Sequence, residues 1–165
     1  MTNKHISIIV AVGKNNEIGF QNKLLWNLPD DMKFFKEKTT GHTVIMGRNT
    51  YLSLPKGALP KRRNIVITDN KDEIYPNCIM ANSIEEAIEL ADEKGENFVM
   101  GGASVYQQFF PHSRTLYYTQ VNDSPEADTF FPEVSDTEWN LASSTIHPKD
   151  EKHTVAFTFL KFERK

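Results

Sequence analysis

The chain has 165 residues, 19 Lys plus Arg against 22 Asp plus Glu, a formal charge of −3 and a single cysteine. That length supports one domain with a sizeable core, and a mildly acidic balance without a Lys/Arg block argues against nucleic acid or an anionic membrane as the main partner. With Cys78 alone, an intrachain disulfide, a thiolate metal cluster and a redox pair are excluded, which fits a reducing, cytoplasmic compartment.

Residues 6–12, Ile-Ser-Ile-Ile-Val-Ala-Val, form an apolar run without polar alternation, as expected of a central strand covered on both faces of a parallel sheet. The run is too short to span a bilayer and lacks the flanks of a signal peptide. Residues 13–23 carry two glycines and three asparagines and read as a long irregular loop with no strand or helix of its own, the kind that often serves as a lid. Pro29 suits the first position of a helix running to about Thr39, with Asp30 and Asp31 in the first turn against the positive end of its dipole. A second buried strand follows over residues 42–46, stopped at Gly47, with a short helix opening at Arg48-Asn49-Thr50.

A Pro/Gly connection, residues 54–63, leads to a third strand over 64–68 and a short fourth over 77–81. Ser83 caps an amphipathic helix over 84–91. Residues 97–100 then lead through Gly101-Gly102-Ala103-Ser104 into a helix over 105–110 closed by Pro111. Residues 116–121, 139–144 and 154–162 have no helix between them and should pair antiparallel. The expected fold is a single α/β domain over residues 1–165: a largely parallel mixed sheet of about eight strands, helices on both faces, and an antiparallel C-terminal hairpin.

Several positions could carry chemistry. Asp31 and Phe35 are related as i and i+4, with Met32 beside them, so the carboxylate shares a face with an aromatic ring. Two readings stand: a surface acid that complements the helix dipole, or an ionisable group held in an apolar pocket to grip a polar ligand. The junctions at Gly47-Arg48-Asn49-Thr50 and Gly101-Gly102-Ala103-Ser104 serve either tight turns alone or two phosphate groups, as in a dinucleotide. Neither G-x-G-x-x-G after the first strand nor a P-loop is present, so any dinucleotide binds in another way. The five histidines show no H-x-H or H-x-x-x-H spacing, and no metal site is expected. Trp26 is either core or an aromatic wall.

Trp26-Asn27-Leu28-Pro29-x-Asp31, Val44-Ile45-Met46-Gly47-Arg48-x-Thr50, Leu59-Pro60-x-Arg62, Val99-Met100-Gly101-Gly102 and Asp128-Thr129-Phe130-Phe131-Pro132 occur in an order and spacing that resemble bacterial dihydrofolate reductases across nearly the whole chain. The resemblance implies an NADPH-dependent enzyme reducing 7,8-dihydrofolate to tetrahydrofolate by hydride transfer from nicotinamide C4 to pterin C6. It implies Asp31, Trp26 and Thr119 as catalytic, with Asp31 on the 2-amino and N3 edge of the pterin, Thr119 supporting it, and water delivering the N5 proton. Ile9, Met32, Phe35, Leu54 and Met100 match the apolar walls of the folate site, and Arg62 matches the arginine that takes the glutamate α-carboxylate.

For the cofactor, Arg48, Asn49, Thr50, Thr68 and Asp69 match the adenosine 2′-phosphate region, and Gly101, Gly102, Ala103, Ser104, Val105 and Tyr106 the pyrophosphate side. Ala11, Ile18, Gly19, Asn22, Lys23, Leu24 and Gly47 complete the cofactor set. The Gly101–Gly102 peptide is expected to be cis, and the lid to engage Asp128 near Gly19. Three residues depart from the family pattern: Leu25 replaces the usual proline before the tryptophan, Val10 an alanine of the substrate pocket, narrowing it slightly, and Asp69 a neutral or basic residue. Asp69 either weakens the 2′-phosphate site or turns to solvent. A reductase of this fold acting on another pterin or a pyrimidine-pathway intermediate would lack the Asp31 and Arg62 pairing, and an idle folate- or nucleotide-binding protein would have lost the acid. A monomer is expected, with dihydrofolate and NADPH as its only partners.

Overall fold

The structure is a computed structural model describing residues 2–165. In chain order it runs β1 (His5–Val12), β2 (Glu17–Gly19), α1 (Pro29–Thr39), β3 (Thr43–Gly47), α2 (Arg48–Leu52), β4 (Arg63–Ile67), β5 (Cys78–Ala81), α3 (Ile84–Leu90), β6 (Glu96–Val99), α4 (Ala103–Phe109), a 3₁₀ turn (Phe110–His112), β7 (Thr115–Val121), β8 (Thr129–Phe130), β9 (Trp139–His147) and β10 (Phe157–Arg164). Eight strands form one sheet in the order β5-β4-β3-β6-β1-β7-β10-β9. The strands from β5 through β7 are mutually parallel, whereas β10 runs antiparallel to both β7 and β9.

β1 is central, as its apolar run requires, with β6 on one side and β7 on the other. Alternation divides the side chains between two cores. Ile9, Val44, Met46, Val66 and Phe98 pack on the α1 and α2 face with Phe34, Phe35, Tyr51 and Leu54. Ile8, Ile45, Ile65 and Val99 pack on the other face with Ile84, Ala87, Val105 and Phe109. Phe98 and Phe109 are fully buried on opposite faces, each side chain contributing about 2 to 3 kcal/mol of transfer free energy. Ser83 accepts the Glu86 N–H at 3.0 Å, and Glu86 returns a carboxylate to the Asn82 N–H at 2.7 Å, which fixes the start of α3.

One expectation fails. The segment after β1 is not wholly irregular, because β2 pairs antiparallel with β8 in a second, two-stranded sheet. Beyond β2 the segment tightens into a turn in which Phe20 and Lys23 exchange backbone hydrogen bonds, with Gln21 at φ 51° and Asn22 at φ 61°. Two successive positive φ values mark a type I′ turn, which Asn tolerates well. At the C-terminus, β10 begins at Phe157 rather than Thr154, since Asp150 and His153 close a small bridge first. Among the described residues no helix is long and apolar enough to cross a membrane.

Candidate active site

The carboxyl ends of β1, β3, β4, β6 and β7 lie along one edge of the sheet, and the segments leaving them carry most of the residues singled out from sequence. Crevices at that edge are the usual ligand sites of open α/β sheets. α1 crosses the face beside β7 and β10, with Phe34 tilted against Tyr117 and stacked on Phe159 at 4.7 Å. Tyr117 and Thr119 project from the same side of β7 by the two-residue period. Thr119 Oγ1 therefore donates to Asp31 Oδ1 at 2.7 Å. Burial pushes the Asp31 carboxyl above its ordinary range, and the Thr119 hydrogen bond opposes that rise. No salt bridge to a cation holds Asp31 among the described residues, so the buried-pocket reading of this acid prevails over the surface one.

Arg62 lies at the far end of α1. Its Nη1 donates to Thr39 Oγ1 at 3.1 Å, its Nε to the Pro60 carbonyl at 2.9 Å, and its guanidinium sits 6.0 Å from the centre of the Phe35 ring. Burial lowers its pKa. Asp31 and Thr39 are eight residues apart, about 12 Å along a helix. α1 thus carries an acid near its start and a guanidinium beside its end. Ile9, Phe35, Leu54 and Met100 belong to the apolar cluster beneath it. Met32 is 64% exposed, and so unpacked at present. Val10 belongs to the cluster on the opposite face, so that core takes up its extra bulk and the expected narrowing beside Ile9 and Phe35 does not occur.

Trp26 packs with Leu28, Val121, Phe157 and Ala11 and donates its indole N–H to Asp123 at 3.0 Å. It is thus packed into the core on one side, held by a partner that sequence spacing alone did not suggest. The loop over residues 13–23 is anchored from within. Burial would raise the Glu17 carboxyl, but hydrogen bonds from Ser124 and the Asn15 N–H bring it below the usual range. Asp128 accepts the Gln21 N–H at 2.9 Å and donates its own N–H to Gly19 at 3.0 Å, which realises the expected contact near Gly19. Ile18 and Gly19 are buried, whereas Asn22 and Lys23 are exposed and Leu24 is 89% exposed.

The ends of β3 and β6 are joined, the Gly47 N–H donating to the Gly101 carbonyl at 2.8 Å. The Gly101–Gly102 peptide is cis, and Gly101 has φ 132°. A Cβ on Gly101 would lie 3.2 Å from Thr50 Oγ1, so glycine serves a close approach here as well as a turn. Tyr106 donates its buried hydroxyl to the Ile9 carbonyl at 2.9 Å, and burial, then the Asp31 charge, drive its pKa up. Ala103 opens α4, Ser104 is exposed and Val105 is buried against Gly47.

At the adenosine end expected from sequence, Arg48 and Thr68 converge on Glu73, which the sequence did not single out. Asn49 is exposed, and Asp69 is exposed and enters none of these bonds. A second group also escaped sequence spacing. His147 Nε2 lies 2.7 Å from Asp30 Oδ2, and His153 Nδ1 lies 2.7 Å from Asp150 Oδ1. The four ligand atoms lie within 4.8 Å of one another. The Asp30 N–H, however, occupies His153 Nε2 at 3.1 Å, which leaves that ring's proton on Nδ1 facing Asp150. The group is a hydrogen-bonded clamp on the start of α1.

Fold and site together define an α/β protein whose candidate ligand-binding residues gather at the carboxyl edge of its sheet. The dihydrofolate reductase family model matches residues 5–164. Dihydrofolate reductase of Bacillus subtilis is 39% identical over 160 residues, covering 97% of this chain and 95% of that one. The Staphylococcus haemolyticus enzyme of the same name is 38% identical over 159 residues, covering 96% and 95%. A solved dihydrofolate reductase from Enterococcus faecalis, complexed with NADP(H) and RAB-propyl, superimposes with a TM-score of 0.88 at 34% identity, covering 98% of this chain and 96% of its own. The chain belongs to the dihydrofolate reductase family.

Proposed function

We propose that the chain reduces 7,8-dihydrofolate to 5,6,7,8-tetrahydrofolate with NADPH, the pterin lying against Asp31 and the glutamate tail reaching Arg62. One observation carries this reading: along α1, an acid backed by Thr119 at 2.7 Å and without a cation partner among the described residues stands at one end, and a half-buried guanidinium at the other. A pterin edge with two N–H donors suits the first, and a carboxylate suits the planar fork of the second.

The residues present fit the cofactor. Gly101 leaves a cradle that a Cβ would fill, and Arg48, Thr68 and Tyr75 form a donor set already gathered around an anion. Arg48, Asn49, Thr50 and Thr68 would hold the adenosine 2′-phosphate, and the stretch from Gly101 to Tyr106 the pyrophosphate. NADPH, when bound, supplies the hydride for pterin C6.

Asp31 fixes the ring through its 2-amino and N3 edge and, by its charge, favours the form protonated at N5, to which water brings the proton. Thr119 orients that carboxylate. Trp26, fixed by Asp123, walls the site, while the lid over residues 13–23 excludes bulk water once Asp128 holds its turn. The direct test follows absorbance at about 340 nm, the band of reduced nicotinamide, with dihydrofolate and NADPH. Loss of absorbance that requires both compounds is expected, and none with folded protein would refute the reading.

A further inference from the structure

Beyond Thr68 the chain turns sharply. The Asn70 N–H donates to Thr68 Oγ1 at 3.2 Å, the Asp72 N–H to Asn70 Oδ1 at 2.9 Å, and the Glu73 N–H to the Asn70 carbonyl at 3.2 Å. These turns return Glu73 to the strand end that Thr68 has just left. There, Arg48 Nε donates to both carboxylate oxygens, at 3.0 and 2.9 Å, Thr68 donates its hydroxyl to Oε1 at 2.8 Å, and Tyr75 donates its hydroxyl to Oε2. Tyr75 is itself stacked on Tyr51, with centroids 4.3 Å apart and rings 4° from parallel.

Donors from α2, from the end of β4 and from the loop after it thus meet on one anion. That is the construction of an anion receptor, with the anion supplied by the chain itself. The hydrogen bond from Tyr75, then those from Arg48 and Thr68, hold the Glu73 carboxyl below the usual range, so protonation at neutral pH will not empty the receptor. A phosphate brought to Arg48 and Thr68 cannot share them with a carboxylate at contact distance, because like charges repel and the donors are already engaged.

We propose that Glu73 is a built-in occupant of the 2′-phosphate subsite and thereby determines how strongly the chain prefers NADPH over NADH. The inference rests on assigning Arg48 and Thr68 to the adenosine 2′ position. NADPH must expel the carboxylate from both residues. NADH presents a hydroxyl there and leaves the carboxylate on Arg48. Glu73 is carried by a loop bordered by exposed residues Asp69 to Asp72 and Ile74, which gives it somewhere to go. The selectivity of the site is therefore narrower than its donor set alone would produce.

The test is equilibrium titration of the whole protein with NADPH, NADH, adenosine 2′,5′-bisphosphate and adenosine 5′-phosphate, at low and high salt. Glu73→Gln keeps the shape and removes the charge. It should tighten NADPH and the bisphosphate about five- to tenfold at low salt, leave NADH and the monophosphate within about twofold, and lose most of that gain at high salt. Glu73→Asp, which draws the carboxylate back by one methylene, should gain less. Arg48→Ala separates the two levels of the argument. If Arg48→Ala weakens NADPH but Glu73→Gln does not tighten it, the receptor is correctly placed and Glu73 does not govern it, which overturns the proposal. If Arg48→Ala leaves NADPH affinity unchanged, the subsite assignment fails and the proposal with it. Equal changes for both cofactors in Glu73→Gln would mark a general loosening of the loop, and would also overturn it.

Discussion

Replacing Asp31 by Asn keeps the side-chain shape and an oxygen able to accept the Thr119 hydroxyl, now 2.7 Å from the carboxylate, but deletes the charge. A carboxylate gripping one edge of a bicyclic ring lies about 6 Å from a proton on its far side, and at an effective dielectric constant near 20 their attraction is about 3 kcal/mol. Because Asp31 is only half-buried, screening brings the working figure towards about 2 kcal/mol. The hydride step should therefore slow between about 30- and 150-fold at pH 7. Single-turnover stopped flow from pH 5 to 9 measures it. The variant should recover towards acid pH as solvent protonates the ring, and its pH profile should move to lower pH. Stability changes in the opposite sense. A folded-state pKa raised above 3.8 penalises the ionised acid, so stability falls as pH climbs through the raised value. The Asn variant should then melt higher than the parent at pH 7, which separates lost chemistry from lost fold. Hydride transfer at pH 7 within about threefold of the parent would refute the reasoning.

Arg62→Leu should raise the KM for dihydrofolate about 10- to 100-fold with kcat nearly unchanged, the signature of a lost charge-assisted bond made equally in ground and transition states; steady-state kinetics with a substrate lacking the glutamate tail should show no such difference. Asp128→Ala removes the acceptor for the Gln21 N–H, so cofactor affinity and the single-turnover rate should both fall, by about three- to tenfold. The His147 pKa is raised by its hydrogen bond to Asp30, so its stabilisation is complete below pH 6.5 and is lost as pH rises through the raised value. Melting temperatures in His147→Gln should show a flatter decline between pH 6 and 8, with about 0.5 kcal/mol missing at the acid end, the scale of a partly exposed pair.

What the sequence disclosed and what it hid divide along the range of the interactions. The first strand was legible because its residues are apolar without alternation, and α1 because Pro29 and two acids mark its start within three positions. The glycine junctions could be found, though not explained, since only the neighbour of a glycine tells a turn from a close approach, and at Gly101 that neighbour is Thr50. The β2–β8 ladder was invisible: Glu17–Gly19 and Thr129–Phe130 are too short to show a period and are joined across more than a hundred residues. Glu17 is charged yet only 3% exposed, which no hydropathy pattern anticipates. His147 and His153 meet Asp30 only because the end of β9 and the connection to β10 return to the start of α1, so spacing along the chain gave no sign of the clamp. Glu73 had a weaker concealment. A carboxylate six residues past a strand end can return to that end if turns intervene, and Asn70 supplies the turns.

The charges at the two ends of α1, taken with their partners, predict the charges of a ligand that binds there. Asp31 is desolvated and, among the described residues, its hydrogen-bond partner is a neutral hydroxyl, so leaving it ionised costs free energy that an arriving positive group offsets. Arg62 is likewise held by a carbonyl and a hydroxyl, without an acid, and awaits a negative group. Protonated pterin and glutamate tail have those signs in that order. Arg48 is the opposite case, because its acid is already in place. A ligand gains the first two interactions outright but must compete for the third. Affinity at the substrate end should thus depend on removing either charge, whereas affinity at the adenosine end should rise when the resident carboxylate is removed. A binding survey in which Asp31→Asn, Arg62→Leu and Glu73→Gln all weakened their ligands alike would contradict that division.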